Sequence, residues 1–130
     1  MAGAAGKGQQ FGKGSLMDVV GGWLNEMRYF YQRQVSVPLS PHAQALWCWM
    51  MYRANSVFWK FPLRLSVPEM AGCTKMSPAM VKKARAELVA GGYLIHEAYG
   101  GNKPGGYWIM SCVSPGHKLV MNKKLGEPKK

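Results

Sequence analysis

Lys82, Lys83 and Arg85 fall within four residues of one another, Lys75 and Ser77 lie just upstream, and Lys103 sits in a loop flanked by paired glycines. Cations in this arrangement suit the phosphate oxygens of a nucleic-acid backbone better than the reacting atoms of an enzyme site. Ala79 adds a small side chain that would let a helix backbone approach such a ligand closely. Exposed lysines on an isolated helix are usually only a solvated face, so the surrounding elements must decide.

Those elements form an ordered series. Ser66-Val67-Pro68-Glu69 reads as a helix start, with the Ser66 hydroxyl capping free amides, Glu69 reaching back to the Ser66 amide, and Pro68 tolerated in the first turn; this short helix is expected to end near Gly72. Ser77-Pro78 begins a second helix that runs to about Ala90 without internal glycine or proline. On a wheel of about 100° per residue, Met80, Val81, Ala84 and Leu88 share one face, while Ala79, Lys82, Lys83 and Ala86 point the other way. Gly91-Gly92 supplies a left-handed stop. Tyr93 to Tyr99 and Tyr107 to Val113 then read as two strands of a hairpin whose tip carries Lys103. Phe61 to Leu65 reads as an edge strand pairing with that hairpin, where Pro62 is tolerated. This order is that of a winged helix-turn-helix. The expected class is α+β, mainly α, with extra N-terminal helices and a C-terminal β-hairpin wing. Tyr99, Tyr107 and Trp108 could stack on bases, although such residues on a small hairpin more often cover the core.

Two apolar helices precede the motif. Ser40-Pro41 starts one running to about Asn55, in which Leu46, Trp47, Cys48, Trp49, Met50, Met51 and Tyr52 leave almost no polar side. Upstream, Trp23, Leu24, Met27, Phe30 and Tyr31 form an apolar stripe opposite Asn25, Glu26, Arg28, Gln32 and Arg33. The stripe could cover one side of the Trp47 helix. Apolar surface left over would make Trp23, Met27, Phe30, Trp47, Trp49 and Met50 candidates for contact with a second copy or another protein, with core packing as the plainer alternative.

Composition agrees with a polyanionic partner. The chain of 130 residues carries 17 Lys+Arg against 6 Asp+Glu, a formal net charge of +11. Residues 23–113 alone hold ten basic and four acidic side chains. That stretch is long enough for one modest core; residues 1–22 and 114–130 lack a hydrophobic period and read as a flexible N-terminal segment and a basic tail or linker. No apolar run approaches a membrane span and the N-terminus lacks a signal-peptide core, so a cytoplasmic location is expected. The three cysteines, Cys48, Cys73 and Cys112, are widely spaced among apolar neighbours and are expected to be buried, reduced thiols; a zinc site from Cys73, Cys112 and His96 would require the fold to gather them. His42 and His117 are expected at the surface. No motif for nucleophilic, phosphate-cradling or metal-dependent catalysis is present, and no cofactor, small-molecule substrate or enzymatic activity is expected. Glu26, Glu69, Glu87 and Glu97 each have a structural role to hand.

The run of Trp23, Phe30, Leu39-Ser40, Ala45-Leu46-Trp47, Met50, Ala54-Asn55, Trp59, Phe61, Leu65-Ser66, Met70, Thr74, Ser77, Lys83-Ala84-Arg85, Leu88, Gly92-Tyr93, Gly100-Gly101 and Tyr107 resembles the amino-terminal winged-helix domain of phage replisome organisers and DnaD-like primosomal proteins. The resemblance spans Trp23 to Val113, and its discriminating part is the Leu46-Trp47 helix with Ala54-Asn55 and Trp59 downstream. It implies a bacterial replication-initiation protein, phage or mobile-element encoded, whose domain binds origin DNA or self-associates. Helicase loading, which such families place in a further domain, is not implied here. The expected DNA contacts are Lys75, Ser77, Ala79, Lys82, Lys83, Arg85 and Lys103, on the helix 77–90 and the wing 99–107. Arg85 lies at the edge of the buried face, where pairing with Glu69 or Glu97 is the alternative. Two other readings stand beside DNA binding: a dimerisation or primosome assembly module, and a stand-alone transcriptional regulator.

Overall fold

The computed structural model describes residues 22–121; the expectations for residues 1–21 and 122–130 fall outside them. The described chain is α+β and about half helical. Its helices are α1 (Gly22–Arg33), α2 (Pro41–Ser56), α3 (Val67–Thr74) and α4 (Pro78–Ala90), and its strands β1 (Leu63–Leu65), β2 (Leu94–Glu97) and β3 (Gly105–Ile109). The strands form one antiparallel sheet in the order β1-β3-β2, with Leu63 opposite Tyr107 and Leu94 opposite Ile109.

Three serines start three helices. Ser40, Ser66 and Ser77 each adopt extended backbone and accept an amide proton three residues on, from Ala43, Glu69 and Met80, with a proline in the first helical turn each time. The return arm expected of Glu69 is not the one observed: its carboxylate turns to Arg53, 3.7 Å away. Helix α3 continues past Gly72 to Thr74 and stops at Lys75, which takes a left-handed conformation (φ 63°) and donates its amide to Ala71. At the end of α4 the left-handed residue is Gly92 (φ 80°), and the Tyr93 amide closes the last turn on the Leu88 carbonyl.

Helix α2 runs through the core. Ala43, Leu46, Trp47, Met50, Met51 and Ala54 are all buried along it. Phe30 of α1 lies flat on Trp47, ring centroids 3.7 Å apart and planes 8° from parallel, a contact worth about 0.5–1.5 kcal/mol beyond the area buried. Val81, Ala84 and Leu88 of α4 close another side, and Leu63, Leu65, Tyr107 and Ile109 bring in the sheet. The buried face of α4 is the expected one, with Met80 half-buried at its margin, and Ala79, Lys82, Lys83 and Ala86 are exposed.

Helix α1 is rotated from the expected orientation. Trp23, Leu24 and Tyr31 face outward, and Glu26 and Phe30 are its buried residues. Two polar joints hold the helix in this orientation. Glu26 accepts from the Ser111 hydroxyl and the Cys112 amide, both at 2.6 Å. Arg33 donates to the Gly91 carbonyl at 2.9 Å, with its guanidinium 4.4 Å from the centre of the Tyr93 ring. Gln34 adds bonds to the Tyr93 hydroxyl and the Leu39 amide. Phe30, Trp47 and Met50 therefore belong wholly to the chain's own interior and cannot form a partner surface; of the six candidates only Trp23 is exposed, with Met27 and Trp49 half-buried.

Strand β3 starts two residues before Tyr107 and ends at Ile109; beyond it the Ser111 amide turns to the His117 carbonyl, and the Ser111 hydroxyl and Cys112 amide go to Glu26. The chain does not leave the folded unit at Val113. It turns back so that Met110 bridges to Lys118 and the buried Leu119 donates its amide to Ile109. Cys112 is buried as expected, and burial, with Glu26 beside it, pushes its thiol up to about 11; Cys48 is half-buried and Cys73 is exposed.

Glu87 joins α4 to the start of α2. Its two oxygens accept from the Ser40 amide (2.9 Å) and hydroxyl (2.7 Å), so the Ser40 cap of α2 is itself held by α4. The bond from the Ser40 amide draws the Glu87 carboxyl below its ordinary range. A carboxylate with a lowered folded pKa adds stability above its unfolded value near 4.3, and that stability fades as pH falls through the folded value. Glu87→Gln should destabilise the protein by about 1 kcal/mol at neutral pH, and thermal melts below pH 4 should show the variant and the parent converging.

Candidate nucleic-acid interface

A cleft of about 720 Å³ opens between the first residues of α3, the outer side of α4 and the β2–β3 hairpin. Lys82 and Arg85 enter it from α4 and Lys103 from the hairpin turn, with Tyr99, His96 and Tyr107 along the wall. Three of the sequence-predicted residues thus converge from two elements. Lys75 and Ser77 line a second, smaller cleft of about 380 Å³ with Pro41, His42 and Met80. Ala79 is exposed on α4; Lys83, also exposed, lies on the flank towards Glu87 and helps to hold that carboxylate charged. The two adjacent lysines therefore serve different sides of the helix.

Arg85 takes neither of the carboxylates considered for it. Its guanidinium donates to the Tyr107 hydroxyl at 3.0 Å, which satisfies a buried phenol and leaves a fixed cation at the cleft wall. Tyr107 also stacks on His96, centroids 4.6 Å apart and planes 14° from parallel. Burial, reinforced by the Arg85 charge, lowers the His96 pKa, so the imidazole is neutral at pH 7 and the cleft's charge comes from Lys82, Arg85 and Lys103.

The hairpin turn is braced from β1. Arg64 donates through Nε and a terminal nitrogen to the Pro104 carbonyl, at 3.3 and 3.1 Å, and its guanidinium sits 4.5 Å from the centre of the Tyr99 ring. Tyr99 in turn donates to Glu97 at 3.2 Å. Gly105 and Gly106 make this packing possible: a Cβ on Gly105 would come within 2.8 Å of His96 Nε2, and one on Gly106 would run into the Tyr99 hydroxyl. Of the three hairpin aromatics weighed for base stacking, Tyr107 is buried, Trp108 is half-buried beneath Lys118 (Nζ 4.8 Å from the ring centre) and Tyr99 is half-buried beneath Arg64. These faces are already occupied.

Arg64 and His96 were missed from sequence. The alternation Leu63-Arg64-Leu65 on an edge strand, buried-exposed-buried, was the signal that Arg64 faces outward. Nothing in the order of residues places His96 against Tyr107, since that depends on strand register. His42 and His117 are exposed as expected, and among the described residues no three metal-ligating side chains gather.

The arrangement can hold a phosphate-bearing polymer by charge-assisted hydrogen bonds from one helix and one loop, with Arg85 already oriented. Tyr107→Phe should release Arg85 while leaving the aromatic packing in place. A loss of about 1 kcal/mol is expected, read as a fall in melting temperature of about 4–8 °C for a domain of this size. Comparison of the chain with protein-family models, curated proteins and solved structures finds no match.

Proposed function

We propose that this chain is a winged helix-turn-helix domain that binds duplex DNA, with α4 in the major groove and the β2–β3 turn along the neighbouring backbone or minor groove. The observation that carries this reading is the convergence of Lys82, Arg85 and Lys103 on one open cleft beside an exposed helix face. The element order from α2 to β3, the three-residue turn between α3 and α4, and the sheet order β1-β3-β2 support the fold assignment. Small Ala79 and Ala86 on the outer face of α4 favour close approach. Lys83 and Lys75 then meet phosphates flanking the cleft. The outer face of α4 holds lysines and alanines, so backbone contacts dominate over base reading. A replication-initiation role is the extension supported by the resemblance over Trp23 to Val113; a transcriptional regulator would use the same surface.

An assembly role is the second reading. Trp23 and Leu24 of α1 are 43% and 61% exposed, Tyr31 is 47% exposed, and Tyr52 of α2 is 65% exposed. This outward side of α1, rather than the Trp47 side of α2, is the surface a second copy or another replication protein would use.

The test of DNA binding is anisotropy of a labelled duplex titrated at several salt concentrations. Lys82→Ala with Lys83→Ala should weaken binding and lower the slope of log K against log salt by about 1.8, from about 0.9 per lost phosphate contact; equal affinity and slope would reject the assignment. Light scattering addresses assembly: Leu24→Glu should shift a concentration-dependent dimer to monomer, and a monomer at every concentration in the parent chain would reject self-association.

A further inference from the structure

The cleft beside α4 holds one titratable group that the DNA-binding reading leaves without a task. His96 pairs across the sheet with Tyr107, and Gly105 lies two residues earlier on the same face of β3. The His96 ring stacks on Tyr107, and its Nε2–Cδ2 edge is turned to Gly105, where a Cβ would come within 2.8 and 3.1 Å of those two atoms. The bare glycine leaves room for that edge, and both residues line the cleft.

Charge is arranged one-sidedly around this ring. Lys82 and Arg85 of α4 and Lys103 of the hairpin turn line the same cleft, Tyr99 and Tyr107 add phenols, and Ser66, Val67 and Pro68 at the start of α3 add no ionisable side chain. Among the described residues, no carboxylate lines it. Glu97, the next residue on β2, belongs to the other face of the sheet, where it pairs in register with Gly106, as Arg64 does from β1, and accepts from the Tyr99 hydroxyl. Glu69, in the first turn of α3, is turned to Arg53. His96 thus faces three cations with no carboxylate to balance a fourth, and burial together with the Arg85 charge keeps its ring neutral at pH 7. A phosphate drawn in by Lys82, Arg85 and Lys103 reverses that balance, because an opposite charge within about 4–6 Å favours the charged form.

We infer that His96 is a fourth phosphate contact of the cleft, made as the imidazolium, so that DNA binding draws a proton onto the ring and tightens as the solution is acidified. The inference rests on the DNA-binding reading above. The two ligands help each other equally: whatever factor the phosphate adds to the proton affinity of His96, the proton adds to the affinity for DNA. Binding raises the His96 pKa from its lowered value in the free protein, so affinity climbs as pH falls through the bound value and levels off below the free one. The stack survives protonation, since a cation over a tyrosine face is favourable.

The test is anisotropy of the full chain with a labelled mixed-sequence duplex at one ionic strength, from about pH 8 to about pH 5, the span over which histidines titrate. The parent should bind about tenfold more tightly at the acid end, the effect of a rise of about one unit in the pKa of one group. His96→Gln should match the parent at the alkaline end, where both side chains are uncharged, and lose the gain at the acid end. A merely structural role for the ring would not produce that split. His42→Gln with His117→Gln leaves His96 the only histidine in the chain and should keep the gain. An affinity independent of pH in the parent would overturn the inference and leave the DNA-binding reading standing, and so would a gain that survives in His96→Gln. A parent chain that binds no duplex at any pH would overturn both. Should His96→Gln fail to fold, the His42/His117 variant decides alone, and loss of the gain there would rule out the role of His96.

Discussion

Helix α2 has too little polar surface to stand against water, and the rest of the molecule is arranged to cover it. Ala43, Leu46, Trp47, Met50, Met51 and Ala54 need neighbours on more than one side. Phe30 supplies one through its stack on Trp47, α4 supplies another through Val81, Ala84 and Leu88, and the sheet supplies a third. The Trp47 ring is kept there even though its indole N–H has no hydrogen-bond partner among the described residues, a cost of about 1–3 kcal/mol set against one of the largest buried side chains. Because α4 is pressed inward by this demand along one stripe, its opposite stripe is turned outward. The position of Lys82 in the cleft is thus a by-product of what Val81, Ala84 and Leu88 bury.

Polar joints then fix angles that apolar packing leaves loose. Glu87 on Ser40 sets α4 against the start of α2; Glu26 on Ser111 and Cys112 sets α1 against the chain leaving the sheet; Arg85 on Tyr107 sets α4 against β3. Each crosses between elements far apart in sequence, and each uses a charged side chain where a charge-assisted bond is stronger than a neutral one. The last joint serves the core and the cleft together, since it satisfies a buried hydroxyl and orients a half-buried cation at the cleft wall.

The local signals were legible in the sequence, and the long-range ones were not. Serine caps followed by proline, the Gly92 stop and the 3.6-residue period of α4 place three helix starts and one buried face to within a residue or two. The same period misplaces α1, because counting apolar residues gives no weight to Glu26, whose partners lie some 85 residues away. The end of the folded unit at Val113 fails for a similar reason: Leu119 is one apolar residue among polar ones, and only the register of Met110 with Lys118 reveals that it is buried. Among the cleft residues, Lys82 and Lys103 could be read from helix face and loop composition. Arg85 could be placed only at a boundary, and its actual partner, Tyr107, depends on where β3 begins.

The three cysteines differ enough in surroundings to be chemically distinct. Cys112 is buried with its thiol held largely protonated at about 11, and Cys48 is half-buried with its sulfur 3.5 Å from the Tyr31 hydroxyl. Cys73 is exposed near the end of α3, one turn from the loop that leads into α4. Thiol alkylation depends on access and on the thiolate fraction, so a maleimide dye added briefly to the folded protein will mark Cys73 first. The chain therefore carries a natural attachment point for a spectroscopic reporter, close to α4 in sequence and outside the residues lining either cleft next to that helix.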